Sequence, residues 1–180
     1  ASARAMASFF LDQFPNPERP LASLALVLSE ADPARFEHPR AMHRDPLPQG
    51  EAAAVETAIH NWIQRGTALS GGLMVFYFAG HGVSAGASIL LCRDYGKNSL
   101  NRFDGSINLN SLLVGLETMH DGDQLILVDA CRSPDPVQRM VQARNGTVGR
   151  PVLTPLTRED ENWGEPTQSV HLATSNQTQA

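Results

Sequence analysis

The stretch LMVFYFAGHG, from Leu73 to Gly82, decides the fold that this sequence predicts. Its apolar run, Leu73 to Ala79, is unbroken and then gives way abruptly to Gly-His-Gly. A continuous apolar run bounded by glycine is typical of a strand that is buried on both faces. We therefore predict a buried strand that carries His81 just beyond its carboxyl end.

The flanking segments alternate between helical and strand patterns. Helical spacing of apolar residues predicts a helix from about Glu51 to Arg65, and the run QLILVDA predicts a second buried strand from Gln124 to Ala130. Between them, leucines at helical spacing follow Asn108 or Asn110, either of which suits a helix cap. Further elements are predicted as a helix around Met6 to Phe14 and as strands over Leu21 to Ser29, Ser88 to Leu91 and Ser169 to Ser175.

Strands of continuous apolar residues that alternate with helices indicate the α/β class. We expect a mostly parallel sheet covered by helices on both faces, an α/β/α sandwich. The strands Leu73 to Ala79 and Gln124 to Val128 are joined by a crossover that contains a helix, so they are expected to be neighbours or near neighbours. Their carboxyl ends then lie at one edge of the sheet, where open α/β sheets bind ligands. That edge would bring together His81 and Cys131, which are fifty residues apart.

Length and charge exclude several classes of function. A chain of 180 residues suits one domain, and its net charge of -5 with no Lys/Arg-dense run disfavours nucleic acid and membrane surfaces as partners. No apolar stretch reaches the roughly 20 residues of a membrane-spanning helix, and no secretory signal is seen. We expect a cytoplasmic protein in which Cys92 and Cys131 are free thiols.

A cysteine and a histidine at one sheet edge are the reactive groups of a thiol hydrolase. The nucleophile is the thiolate, and an imidazole can take its proton and later return a proton to the leaving amine. Gly80 and Gly82 would let a substrate approach the backbone, whose N–H groups can face a carbonyl oxygen. Each residue alone also has a structural interpretation, because His81 suits a turn and Cys131 suits a small buried apolar position.

The two motifs FYFAGHG and LILVDACRS together resemble the caspase and metacaspase superfamily of cysteine peptidases, especially its bacterial caspase-like members. The resemblance implies a caspase-like fold and a cysteine endopeptidase that cleaves protein substrates. In it Cys131 attacks the peptide carbonyl, His81 is the acid and base, and the backbone N–H groups of Gly82 and Cys131 form the oxyanion hole. No cofactor is implied.

Asp129 departs from the caspase pattern, which has Gln before Ala-Cys, and matches the metacaspase-like choice. The resemblance implies that its carboxylate lines a substrate pocket suited to Arg or Lys, so that cleavage follows a basic residue. The alternative is an aspartate that serves in an ion pair or as a cap.

The resemblance also divides the chain. It implies a single peptidase domain over residues 1–180, incomplete at both ends. Within it, residues 1–132 resemble a large subunit, residues 133–167 form a processing-type loop, and residues 168–180 begin a small-subunit-like segment. If the pocket prefers basic residues, the loop offers four self-cleavage sites, which are Arg139, Arg144, Arg150 and Arg158.

Other candidate ligands and functions carry less weight. Cys92 is expected to be buried and no metal site is assigned, since Asp94, Asp121 and Asp123 suit solvated turns better than a calcium cage. Bacterial relatives serve in controlled cell death or antiphage defence, which implies regulation by a partner protein or a complementary small-subunit fragment. The alternatives are a non-catalytic caspase-like scaffold and a non-proteolytic thiol hydrolase or acyltransferase.

Overall fold

A computed structural model of the chain describes residues 2–14, 16–30, 35–41, 46–69, 71–84, 87–119, 122–130, 133–134, 150–152 and 169–174, with the backbone alone for 133–134 and 169–174. These residues form three α-helices, one short 3-10 helix and six strands. In chain order they are α1 Ser2–Asp12, α2 Ala52–Thr67, β1 Leu73–Ser84, β2 Ser88–Leu91, the 3-10 helix Arg102–Gly105, β3 Ser106–Asn108, α3 Leu109–Met119, β4 Asp123–Ala130, β5 Ser133–Pro134 and β6 Ser169–Thr174.

The strands form one mixed sheet in the order β3-β2-β1-β4-β6, and β5 also pairs with β1. β4 is parallel to β1 and to β6, whereas β2 is antiparallel to both β1 and β3. The predicted α/β class and the predicted pairing of β1 with β4 are confirmed. The sheet is mixed instead of mostly parallel because β1, β2 and β3 follow one another closely in the chain, and short connections join antiparallel strands.

β1 is longer than the predicted strand and changes partners along its length. Its first eight residues, Leu73 to Gly80, pair with β4, and the last four, His81 to Ser84, pair with β2. The prediction that the strand ends at Ala79 is therefore wrong, since His81 lies inside β1. Gly80 and Gly82 flank His81, where the pairing partner of β1 changes from β4 to β2. Glycine within a strand commonly marks a bend or a close approach of another backbone.

The main core lies on one face of the sheet. Alternate side chains of the two central strands point to this face, as the period of two requires. They pack against apolar residues of α2 and α3, including Ile59, Ile63, Leu112 and Leu116. Burying each such side chain stabilises the fold by about 1.5–3 kcal/mol. The central strands contribute Met74, Phe76 and Phe78 of β1 and Ile126, Val128 and Ala130 of β4, and the neighbouring strands add Leu90 of β2 and Ile107 of β3.

Two side chains from outside the helices fix where α2 and α3 begin. The Asp94 Oδ1 atom accepts a hydrogen bond of 2.9 Å from the N–H of Ala52, the first residue of α2. The Asn108 Oδ1 atom accepts one of 3.1 Å from the N–H of Ser111 in α3. Both satisfy N–H groups that have no partner within their helix. Of the two caps predicted for α3, Asn108 is the one that is confirmed.

The segment Leu21 to Ser29 is not the buried strand that its apolar run predicts. Its backbone pairing is a single bridge between Leu28 and Gln49, and Leu21 is 44% exposed. The Leu28 N–H donates to the carbonyl of Pro48 and the Leu28 carbonyl accepts from the N–H of Gly50, but Pro48 has no N–H with which to extend this parallel pairing. A second proline, Pro46, precedes it, so the partner segment cannot supply a ladder.

Candidate active site

The candidate site lies where β1 and β4 reach their shared carboxyl edge. Ala79 lies opposite Asp129, and Gly80 lies opposite Ala130, at the end of a parallel ladder that begins at Leu73. Beyond residues 131–132 the pairing resumes with Val83 opposite Ser133, at the same offset of fifty residues. β1 therefore pairs in the same register with the segments before and after residues 131–132, which lie outside the described residues.

His81 is an exposed residue one position beyond the Gly80–Ala130 pair. Its backbone lies opposite Leu91 of β2, so the hairpin fixes the main chain on either side of the imidazole. Within the described portion of the chain the imidazole has no hydrogen bond or ion pair. An exposed imidazole on a fixed backbone can exchange protons with a group brought to it from solvent.

Asp129 shares a sheet face with His81. Side chains two residues apart on a strand point to one face, and opposite residues of parallel strands share a face. His81 follows Ala79 by two positions, and Ala79 lies opposite Asp129. This is the face opposite the one that Val128 and Ala130 present to the core, and Asp129 is exposed on it. A carboxylate and an imidazole thus lie near one edge of one face.

Gly82 is a buried residue of β1 that lies opposite Leu90 of β2. Beside it is a small depression with room for about one water molecule. The lining is mostly apolar and comprises Gly82, Val83, Ser88, Ile89, Leu90, Leu109, Val128 and Ala130. This depression is too small to receive a peptide side chain.

Cys92 is buried in the main core, as its sequence context predicts. Burial and, to a smaller extent, the charge of Asp94 raise the pKa of its thiol to about 12, against the opposing charge of Arg150. A thiol with so high a pKa carries almost no thiolate at neutral pH, and the thiolate is the nucleophile. Cys92 is therefore unsuited to nucleophilic catalysis.

Several predicted site residues lie outside the described residues. They are Cys131, Arg139, Arg144, Arg158 and Asp121. The fourth proposed cleavage site, Arg150, is described and is well anchored. Its N–H donates to the carbonyl of Ser106 at 3.1 Å, and its carbonyl accepts from the N–H of Asn108 at 3.0 Å. Its guanidinium donates to Glu56 of α2 at 2.9 Å.

Sequence analysis missed the contacts that hold the hairpin and the segment at Arg150. The Asn110 Oδ1 atom accepts a hydrogen bond of 2.9 Å from the N–H of Ser88, which ties β2 to the start of α3. The His60 ring lies 2.8 Å from the carbonyl oxygen of Val152. Both contacts join residues far apart in the chain, and no local pattern in the sequence marks them.

The described residues contain no group of three or more His, Cys, Asp and Glu side chains that could hold a metal ion. Within the same residues, no helix has the length and apolar character needed to cross a membrane. Comparison with protein-family models, with curated proteins and with solved structures gives no match.

Proposed function

We propose that this protein is a cysteine endopeptidase with a caspase-like fold, in which Cys131 is the nucleophile and His81 the general acid and base. The observation that carries the proposal is the register of β1 and β4. It sets Gly80 opposite Ala130, and His81 and Cys131 are the residues that follow this pair in the two chain segments.

Covalent geometry limits how far apart the two residues can lie. Neighbouring strands are about 4.8 Å apart and consecutive Cα atoms about 3.8 Å apart, so the Cα atoms of His81 and Cys131 are within about 12 Å. His81 lies on the same sheet face as Asp129, the residue two positions before Cys131 in the chain. A Cys–His pair needs the sulfur and a ring nitrogen within hydrogen-bond reach, and this limit is compatible with it.

The proposed reaction has two halves. The Cys131 thiol gives its proton to His81, and the sulfur attacks the substrate carbonyl to form a tetrahedral adduct whose oxyanion faces the backbone N–H groups of Gly82 and Cys131. The C–N bond then breaks, His81 protonates the leaving amine, and an acyl thioester remains on Cys131. Water, deprotonated by His81, hydrolyses the thioester and regenerates the thiol.

Asp129 supplies the proposed specificity. It is an exposed carboxylate on the same sheet face as His81 and two residues before Cys131. A carboxylate there attracts a guanidinium or an ammonium, and Arg can bind it through two parallel hydrogen bonds. The proposal therefore places a basic substrate residue just before the cleaved bond.

Self-processing follows if the loop 133–167 reaches this pocket. Arg139, Arg144 and Arg158 remain candidates, whereas cleavage after Arg150 would first require its bonds to Ser106, Asn108 and Glu56 to break. We include in the proposal a cytoplasmic protein whose peptidase activity serves bacterial cell death or antiphage defence under control by a partner protein.

The decisive experiment measures hydrolysis of fluorogenic peptides that end in Arg, Lys, Asp or Ala. The wild-type chain is compared with Cys131→Ala and Asp129→Gln, with Cys92→Ala as the matched control for loss of a thiol. Cleavage after Arg or Lys that vanishes with Cys131→Ala, weakens with Asp129→Gln and survives Cys92→Ala supports the proposal. Cleavage after Asp would be consistent with Cys131 as the nucleophile, but it would contradict the role of Asp129 in binding a basic substrate residue.

The opposite outcome is also informative. No turnover of any peptide, with calcium or after limited proteolysis of the loop 133–167, would contradict the endopeptidase and favour a non-catalytic scaffold. A thiol-reactive peptide probe that labels Cys131 without peptide hydrolysis would instead favour a thiol hydrolase or acyltransferase of other specificity.

A further inference from the structure

Residues Arg150, Pro151 and Val152, which we call the clamp, attach the chain to the core between two segments that lie outside the described residues. Arg150 forms the isolated parallel bridge to Ile107 of β3, through its two backbone hydrogen bonds. Val152 is 4% exposed and belongs to the main core. The clamp is therefore an element of the folded core and not merely a surface loop.

α2 contributes two polar contacts to the clamp from successive turns of one helix face. The Glu56 carboxylate pairs with the Arg150 guanidinium at 2.9 Å, and the His60 ring lies 2.8 Å from the carbonyl oxygen of Val152. Glu56 and His60 are four residues apart, which places them on one side of α2. The ion pair is partly exposed and contributes little, so the buried Val152 and the backbone bonds supply most of the attachment.

The clamp also lies close to Cys92. Val152 and Cys92 belong to the same core cluster, and the Arg150 charge is near enough to act on the Cys92 thiol. Cys92 is only 9% exposed. Release of the clamp would remove Val152 from the core cluster that contains Cys92 and move the Arg150 charge away from the thiol, so the reactivity of Cys92 reports whether the clamp is in place.

We propose that the clamp attaches the C-terminal portion of the chain to the core independently of β6. When the chain is cut between residues 135 and 149, the clamp keeps the two pieces together. A cut after Arg139 or Arg144 leaves the clamp on the C-terminal piece, still bound to α2 and β3. The use of this retention in self-processing rests on the proposed function, but the retention itself does not need the chain's own activity.

The test uses the full chain with Cys131→Ala, in which Cys92 is the one remaining cysteine. A recognition site for an added sequence-specific protease is placed between residues 135 and 149, the chain is cut, and the pieces are followed by gel filtration and by the rate of Cys92 alkylation. We expect the pieces to elute together and Cys92 to react within about twofold of its rate in the uncut chain.

Variants separate the clamp from β6. After cutting, Val152→Ala and His60→Ala should each raise the Cys92 alkylation rate about tenfold or more, as expected for loss of a buried contact or hydrogen bond. Thr57→Ala, on the exposed side of α2, should match the parent. Urea unfolding of each uncut variant verifies folding, and His60→Ala carries the test if Val152→Ala does not fold.

Two results would overturn the inference. One is a cut parent whose pieces separate or whose Cys92 reacts as fast as in the unfolded chain. The other is unchanged Cys92 reactivity in both clamp variants after cutting, which would mean that β6 alone holds the pieces. Because the cut is made by an added protease, neither result depends on peptide hydrolysis by Cys131, and a failed peptidase assay leaves this test unaffected.

Discussion

Gly80 of β1 lies opposite Ala130 of β4 in the last pair of their parallel ladder, and the next residue of β1, His81, already pairs with Leu91 of β2. The histidine thus sits where β1 passes from one partner to another. Its backbone pairs with β2 and the residue before it, Gly80, pairs with β4, while the His81 side chain stays exposed. Rigid backbone under an exposed reactive side chain is the arrangement that a preorganised site requires.

The first prediction concerns Gly80 and the ring of Phe78. A Cβ atom at position 80 would lie 3.0 Å from the Cζ atom of that ring, which is tighter than ordinary contact. We expect Gly80→Ala to lower the free energy of unfolding by about 1 kcal/mol. In a Phe78→Leu background the same change should be neutral or stabilising by about 0.5 kcal/mol, because alanine suits a strand better than glycine. Urea unfolding of the four proteins measures this coupling, and additive effects would contradict it.

The second prediction concerns Gly105, where the obstacle is backbone. A Cβ atom there would lie 2.3 Å from the carbonyl carbon of Asp94 and 2.4 Å from the N atom of Tyr95. The Gly105 carbonyl accepts a hydrogen bond of 3.0 Å from the Cys92 N–H, so the two segments cannot simply move apart. We expect Gly105→Ala to destabilise the fold by about 3 kcal/mol or more, measured by urea or thermal unfolding.

Gly71 is the matched control for Gly105. It has a positive φ of 68°, and nothing lies within 4 Å of a Cβ placed on it. Gly71→Ala should therefore suffer backbone strain alone, of about 1–2 kcal/mol. Equal destabilisation by the two substitutions would show that contact with residues 94–95 does not limit position 105.

The helices and central strands could be predicted because their patterns are local. The helical spacing of Val55, Ile59 and Ile63 gave α2, and the continuous apolar run after Gly72 gave β1. Leu21 to Ser29 has a similar apolar run but forms no strand, since the segment that pairs with it contains Pro46 and Pro48. Hydrogen-bond partners are a tertiary property, and an apolar run alone does not supply them.

At the candidate site, the pairing of β1 with β4 could be predicted, but the pairing of His81 with β2 could not. Parallel pairing of β1 and β4 follows from the crossover rule, and it brings the chain positions after Gly80 and Ala130 to one edge. The pairing of His81 with β2 was not predicted, because the strand that forms the hairpin with β2 is a continuation of the buried strand that begins at Leu73. The clamp escaped prediction for a similar reason, since Arg150 pairs with residues more than forty positions away.

The third prediction uses the ion pair between Arg4 of α1 and Glu30. The guanidinium donates to both carboxylate oxygens, at 2.8 and 2.6 Å, and these hydrogen bonds lower the pKa of Glu30. A carboxyl whose pKa is lowered in the folded state stabilises the fold above its unfolded pKa, and this contribution is lost as the pH falls through the folded pKa. Glu30→Gln should therefore be less stable than the wild type at pH 7, with the difference shrinking below about pH 4.

Urea unfolding of both proteins from about pH 7 to about pH 3 provides the measurement. Because the pair is at the surface, added salt should also reduce the difference at neutral pH. A difference that stays constant across this pH range would mean that the Glu30 charge does not contribute to stability.

The fourth prediction concerns the buried thiol of Cys92. Its pKa is raised by burial to about 12, whereas the unfolded thiol ionises near pH 9. The unfolded state therefore releases its proton first as the pH rises, and the fold loses stability between about pH 9 and pH 12. In a Cys131→Ala background, stability should fall more steeply from about pH 8 to about pH 10.5 with Cys92 present than with Cys92→Ala.

The comparison is made on the slope with pH, because the cavity left by Cys92→Ala lowers stability at every pH. Native Cys92 should also resist alkylation at about pH 8 and react at once in urea. Parallel pH slopes together with rapid native alkylation would show that this thiol is accessible to solvent.

The last prediction tests the charge at Asp129 under the proposed function. Asp129→Asn keeps the shape of the side chain and removes its charge, so it should weaken binding of a basic substrate residue much more than binding of a neutral one. We expect the ratio of kcat/KM for an Arg-ending peptide to that for an Ala-ending peptide to fall by about 100-fold, which corresponds to the loss of one well-placed charged contact.

The ratio is the proper readout because any loss of folded protein lowers both values equally. Thr118→Val, on α3, serves as a control away from the edge and should leave the ratio unchanged. An Asp129→Asn enzyme that keeps the wild-type ratio would show that another group reads the basic residue, and Asp129 would then serve the structure of the β4 end instead of the specificity of the site.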